Sequence, residues 1–100
     1  MIFLIEANDL EGMLERRLAL RDSHLAYWRS FGDRVAAGGA LMSGDGQDAL
    51  PIGSMLLVEA ESMGEARSML AADPFTLEGV FSGDVGVRRW RPGIGRWCEP

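Results

Sequence analysis

The chain has 100 residues, of which 15 are Asp or Glu and ten are Arg, with no Lys, one His and one Cys, for a net charge of −5. Lysine Schiff-base chemistry is therefore excluded, and a structural zinc site lacks its usual nitrogen and sulfur ligands. A hydrophobic content of 47% excludes a disordered chain, and no apolar run approaches the ~18 residues of a membrane span. The length suits one domain. The first residues carry no basic flank and no cleavage-like segment, so no signal peptide is expected. Cys98 has no intramolecular partner, which fits a cytoplasmic protein. The acidic balance speaks against nucleic acid as a partner. Arg88, Arg89, Arg91 and Arg96 read as a solvated strand side and tail.

Residues 2–7 are an apolar run closed by Asn8-Asp9, which predicts a buried first strand. Helical spacing follows. Leu14 and Leu18 suggest a short helix over 11–19, and Leu25, Trp28, Phe31 and Val35 a longer one over 23–36, with Asp22 or Ser23 as its N-cap. Gly38-Gly39 is expected to stop that helix by supplying left-handed backbone. Ala40-Leu41-Met42 begins a second strand, and residues 43–51 form a turn-rich loop. Residues 54–59 predict a third strand. Ser62 with Glu65 forms a capping box that opens a helix, and Pro74 ends it at Asp73. A turn over 74–79 leads to a last strand over 85–90 and an irregular tail over 92–100.

The order β-α-β-β-α-β predicts an α+β, ferredoxin-like protomer: a four-stranded antiparallel sheet with two main helices on one face. Ile2-Phe3-Leu4-Ile5 and Met55-Leu56-Leu57-Val58 are apolar at consecutive positions, so both faces of those strands require cover. Two helices cover one face. A second copy, packed sheet to sheet, is the expected cover for the other.

Three residues are candidates for chemistry. His24 is the only histidine, and it shares the Trp28 and Phe31 stripe rather than the solvent side. Arg21 lies one turn earlier, where it either binds substrate or pairs with Asp22 or Glu15. Asp73 either ends its helix in an Asp-Pro turn or points inward to accept the His24 Nδ1–H, which leaves Nε2 to act as base or acid. Gly44-x-Gly46 lacks the third glycine and the setting of a dinucleotide loop. No cofactor and no metal site is predicted.

In combination these pieces resemble the YciI-like (YCII-related) family of dimeric α+β barrel proteins. The matching segments are the opening strand, Arg21-x-x-His24-Leu25, Gly38-Gly39-Ala40-Leu41, Gly53-Ser54, Glu65-Ala66, Asp73-Pro74-Phe75 and Gly79-Val80-Phe81. The resemblance covers about residues 1–91, the expected domain. It departs at Asp22, where the family often has Pro, and in the Arg-rich tail. It implies a sheet-to-sheet homodimer and a cleft holding a His–Asp pair at His24 and Asp73. It also implies kinship to a chlorohydroxyquinol dehydrochlorinase and, more distantly, to muconolactone isomerases. The expected activity is proton transfer on a small organic acid or phenol-like molecule, as a lyase, dehydrochlorinase or isomerase. The alternatives are a non-catalytic binder using the same cleft, and a haem-linked role through His24.

Overall fold

The computed structural model describes residues 1–96; Trp97 and Cys98 lie outside them. The strands are β1 (Ile2–Asp9), β2 (Val35–Met42), β3 (Pro51–Glu59) and β4 (Phe81–Trp90), and the helices are α1 (Leu14–Arg29), α2 (Met63–Ala71) and α3 (Pro74–Leu77). The sheet runs in the order β2-β3-β1-β4 and every pairing is antiparallel. This is the ferredoxin-like α+β arrangement anticipated from the sequence.

The pleat decides what each face carries. Phe3 pairs with Val58, and Ile5 with Leu56 and Val87, so these side chains share one face. There they form the core with Ala66, Met69, Leu70 and Phe75. Phe75, Ile5 and Val58 are fully buried, each contributing roughly 1.5–3 kcal/mol. Leu4 pairs with Leu57, and Glu6 with Met55, on the opposite face. No helix covers that face, yet Leu57 is buried and Ile2, Leu4, Met55 and Leu41 are half-buried.

α1 corrects the expectation of two helices. Asp22 and Ser23 lie in its middle rather than capping a second helix. The residues it buries are Arg17, His24 and Trp28, spaced seven and four apart, which is one stripe on an unbroken helix. A break at Asp22 would swing Arg17 away from the other two. The Leu14 and Leu18 spacing marks the wrong face, since Leu18 is 56% exposed. The helix stops at Arg29, and Gly32, at φ +60°, supplies the left-handed residue in the turn that follows. Gly38 and Gly39 are strand residues of β2 instead.

Other boundaries shift for local reasons. Ser62 Oγ accepts from the Glu65 N–H at 3.0 Å, so the expected N-cap forms. The Glu65 carboxylate accepts from the Glu61 N–H at 3.2 Å, one residue before the cap, rather than from that of Ser62. α2 ends at Ala71, and Asp73-Pro74 starts α3 with Asp73 as N-cap and Pro74 in its first turn. β4 begins at Phe81 because the polar Ser82-Gly83-Asp84 run sits at a bulge, where Ala7 pairs with Val85 and Asp9 with Phe81. Asn8 Nδ2 donates to Asp84 Oδ2 there at 2.9 Å. Arg88, Arg89, Arg91 and Arg96 are all exposed.

Candidate active site

α2 lies against β1 and β4, α3 packs on α1 and α2, and a cleft of about 460 Å³ opens between α1 and the β2–β3 side. Gly38, Gly39 and Ala40 of β2 line it opposite the α1 residues Arg21, His24 and Trp28. The missing side chains make that wall low. A Cβ on Gly38 would approach Leu56 Cδ2 to 2.9 Å.

His24 and Asp73 meet across 49 residues of chain. The imidazole Nδ1 lies 2.9 Å from both carboxylate oxygens. Asp73 is completely buried, and a carboxylate in that setting is stable only when its oxygens are paired. Trp28 Nε1 donates to Oδ2 at 2.8 Å, and the Phe75 N–H donates to Oδ1 at 2.8 Å as the first bond of α3. Asp73 therefore does not end α2, which stops at Ala71; its carboxylate opens α3 and points inward to His24 at once. Since an ionised carboxylate only accepts, His24 Nδ1 carries the proton, and the neutral ring keeps its lone pair on Nε2. Among the described residues no buried side-chain nitrogen or oxygen lacks a partner. His24 Nε2 bonds to none of these residues, so it opens to the cleft that His24 lines.

The ring plane is held from below. Phe75 stacks on His24 with centroids 4.0 Å apart and planes 11° from parallel. The Arg17 guanidinium carbon lies 4.6 Å from the Phe75 centroid, within cation–π range. Arg17 is itself tied down. Its Nε donates to Asp9 Oδ2 at 2.6 Å, and one Nη donates to Asp9 Oδ1 at 3.2 Å and to Ser54 Oγ at 2.6 Å. Tyr27 closes the back, donating to the Met69 carbonyl at 2.5 Å. Burial, and then the Asp73 carboxylate, push its phenol above the ordinary value.

Arg21 lines the cleft one turn before His24 and is exposed. It pairs with neither Asp22 nor Glu15, and its guanidinium bonds to none of the described residues. Sequence reasoning passed over Arg17, Asp9 and Ser54, and it read Trp28 as core alone. The seven-residue step from Arg17 to His24, two turns of one helix, is the signal the sequence carries.

Fold and site together define a small ferredoxin-like protein with a histidine–carboxylate pair at the edge of an open side cleft. The chain belongs to the YCII-related domain family, whose model matches residues 1–91. The protein YciI of Escherichia coli is 34% identical over 86 residues, covering 81% of this chain and 88% of that protein. An uncharacterized protein of Haemophilus influenzae is 30% identical over 96 residues, covering 91% and 97%. Among solved structures, 5-chloro-2-hydroxyhydroquinone dehydrochlorinase (TftG) of Burkholderia phenoliruptrix, in complex with 2,5-dihydroxybenzoquinone, superimposes with a TM-score of 0.85 at 38% identity, over 93% of this chain and 96% of that one.

Proposed function

We propose that this protein is a small-molecule enzyme that transfers protons on a small organic acid or phenol-like substrate, of lyase, dehydrochlorinase or isomerase type. The observation that carries the reading is the His24–Asp73 pair, 2.9 Å apart, with Nε2 open to a cleft. Nε2 takes a proton from an acidic O–H or C–H of the substrate, and the resulting imidazolium is held by the Asp73 carboxylate. The same proton is then returned to a different atom of the substrate, which is an isomerisation. In the elimination of hydrogen chloride, the electron pair freed by deprotonation forms a new π bond in the substrate, the C–Cl bonding pair departs with chloride, and the proton on Nε2 passes to water. Such acid–base assistance is typically worth ~100- to 10,000-fold in rate. Arg21 is the binder of a substrate carboxylate or enolate. The likeness to a dehydrochlorinase at 38% identity supports this class of reaction.

The working unit we assign is a homodimer formed through the helix-free sheet face, where Ile2, Leu4, Met55 and Leu57 present apolar surface. No helix among the described residues is long and apolar enough to cross a membrane. With its single cysteine, we assign the chain to the cytoplasm.

The test is turnover of a panel of chlorinated hydroquinols and small phenolic acids, followed by mass spectrometry and chloride release. The native protein is expected to convert at least one, and His24→Ala to abolish conversion while circular dichroism stays unchanged. Conversion that survives in His24→Ala overturns the mechanism. Saturable binding without product across the panel identifies a non-catalytic binder.

A further inference from the structure

The charge of the cleft runs against that of the chain. The protein carries 15 carboxylates and a net charge of −5, yet no Asp or Glu of the described residues lines the cleft, while Arg17, Arg21 and Arg29 do. Arg17 is spent on Asp9, which grips it at two points. Arg16 pairs with Glu78 and Arg34 with Glu65. Arg21 and Arg29 differ from these, since their guanidinium groups bond to none of the described residues. A basic residue in the last turn of a helix is favourable in its own right, so Arg29 alone would signify little. Its place on the cleft wall, with a second arginine whose guanidinium bonds to no described residue and with no acid among the lining residues, needs a further account.

The spacing supplies it. Arg21 and Arg29 are eight residues apart on one continuous helix, which is about 12 Å of rise and about 80° of turn, and along the axis His24 stands at a height between them. The wall opposite is low because Gly38, paired with Leu56 on the cleft face, presents no side chain, and Trp28, Leu25 and Leu56 add apolar surface. A flat molecule fits such a slot, and an anionic group at each end finds a cation. Its middle then faces the imidazole.

We infer that the cleft takes a planar ligand bearing two separated anionic oxygen groups, one held by Arg21 and the other by Arg29, with His24 addressing the ring between them. This rests on the proposed proton-transfer site and adds the substrate class and a specificity residue, Arg29, which does not touch the reacting atoms. The 2,5-dihydroxybenzoquinone in the dehydrochlorinase complex belongs to the same class, a flat ring with acidic hydroxyls on opposite sides.

The test is calorimetric titration near neutral pH with three probes of one shape. These are 2,5-dihydroxybenzoquinone, its monomethyl ether and its dimethyl ether, which offer two, one and no ionisable hydroxyl groups. The native protein is expected to bind them in that order of affinity. Arg29→Gln is expected to weaken the dihydroxy probe about tenfold while changing the monomethyl ether little, and Arg29→Lys to restore part of the loss. Arg21→Gln is expected to act alike, weakening the dihydroxy probe and changing the monomethyl ether little, since its one anionic group can turn to the arginine that remains. These titrations read affinity and no turnover, so a failure of the proton-transfer reading leaves the result intact. Equal affinities for the three probes, an equal effect of Arg29→Gln on the dihydroxy and monomethyl probes, or no binding of the dihydroxy probe at millimolar concentration would each overturn the inference.

Discussion

Trp28 Nε1 donates to Asp73 Oδ2 across 2.8 Å, on an oxygen that also lies 2.9 Å from His24 Nδ1. The indole is therefore part of the support for the imidazole, not only part of the core. Trp28→Phe keeps most of the packing and removes that donor. The expected loss is about 1–3 kcal/mol of stability, read from the urea midpoint. Asp73→Asn is expected to cost both stability and activity, because its one amide oxygen cannot accept from the Phe75 N–H and the Trp28 indole together, and the amide nitrogen is left facing a donor. Asn remains a good N-cap, so α3 survives, but it no longer supplies a charged partner for the imidazolium, and turnover falls about 100-fold or more. Loss of folding in Asp73→Asn with activity preserved in the folded fraction would separate Asp73 from the chemistry.

Arg17 and Asp9 form an ion pair whose side chains are 6% and 7% exposed. Removing one partner leaves the other charged and shut away from water. Arg17→Met is expected to cost about 3–5 kcal/mol, and adding Asp9→Asn is expected to recover more than half of it. A double-mutant cycle by urea denaturation checks this. Additive losses would mean that the pair does not act as a unit.

Tyr27 gives the fold an alkaline limit. Its folded phenol is raised above the ordinary value of 10.0, chiefly by burial and then by the Asp73 carboxylate. The unfolded chain therefore ionises first as pH rises, so this contribution is complete below pH 10 and is lost through the window above it. Denaturant midpoints measured between pH 8 and about 11 should fall more steeply for the native protein than for Tyr27→Phe. Parallel curves would contradict the assignment.

Met55 pairs with Glu6 on the helix-free side of the sheet and is half-buried without any cover from a helix. A glutamate there would place like charges directly opposite each other and charge the apolar surface. Met55→Glu is expected to shift sedimentation from dimer to monomer. A native protein that sediments as a monomer at micromolar concentration would remove the sheet-to-sheet assembly.

The parts of this structure legible from sequence are those governed by local chemistry. The Ser62 cap forms through its bond to the Glu65 N–H within one turn, and the apolar runs of β1 and β3 lie side by side as their composition requires. The boundary at Asp22 was misjudged because Asp and Ser cap helices well in isolation. Here the shared burial of Arg17, His24 and Trp28 decides in favour of one helix. Gly38-Gly39 misled for a similar reason, since glycine marks both turns and places of close packing. At the site, His24 and Asp73 were each visible as candidates, but their meeting depends on chain separated by 49 positions, and only the family resemblance favoured it. Arg17 was lost because its carboxylate partner comes from β1, eight residues away and on another element.

Asp73 begins α3, anchors an indole and orients an imidazole with the same two oxygens. Fraying of that four-residue helix would therefore let the imidazole swing free while the sheet stayed intact. On warming, the geometry of the His24–Asp73 pair would loosen ahead of the global melt, so one small helix sets the temperature up to which the proposed site stays assembled.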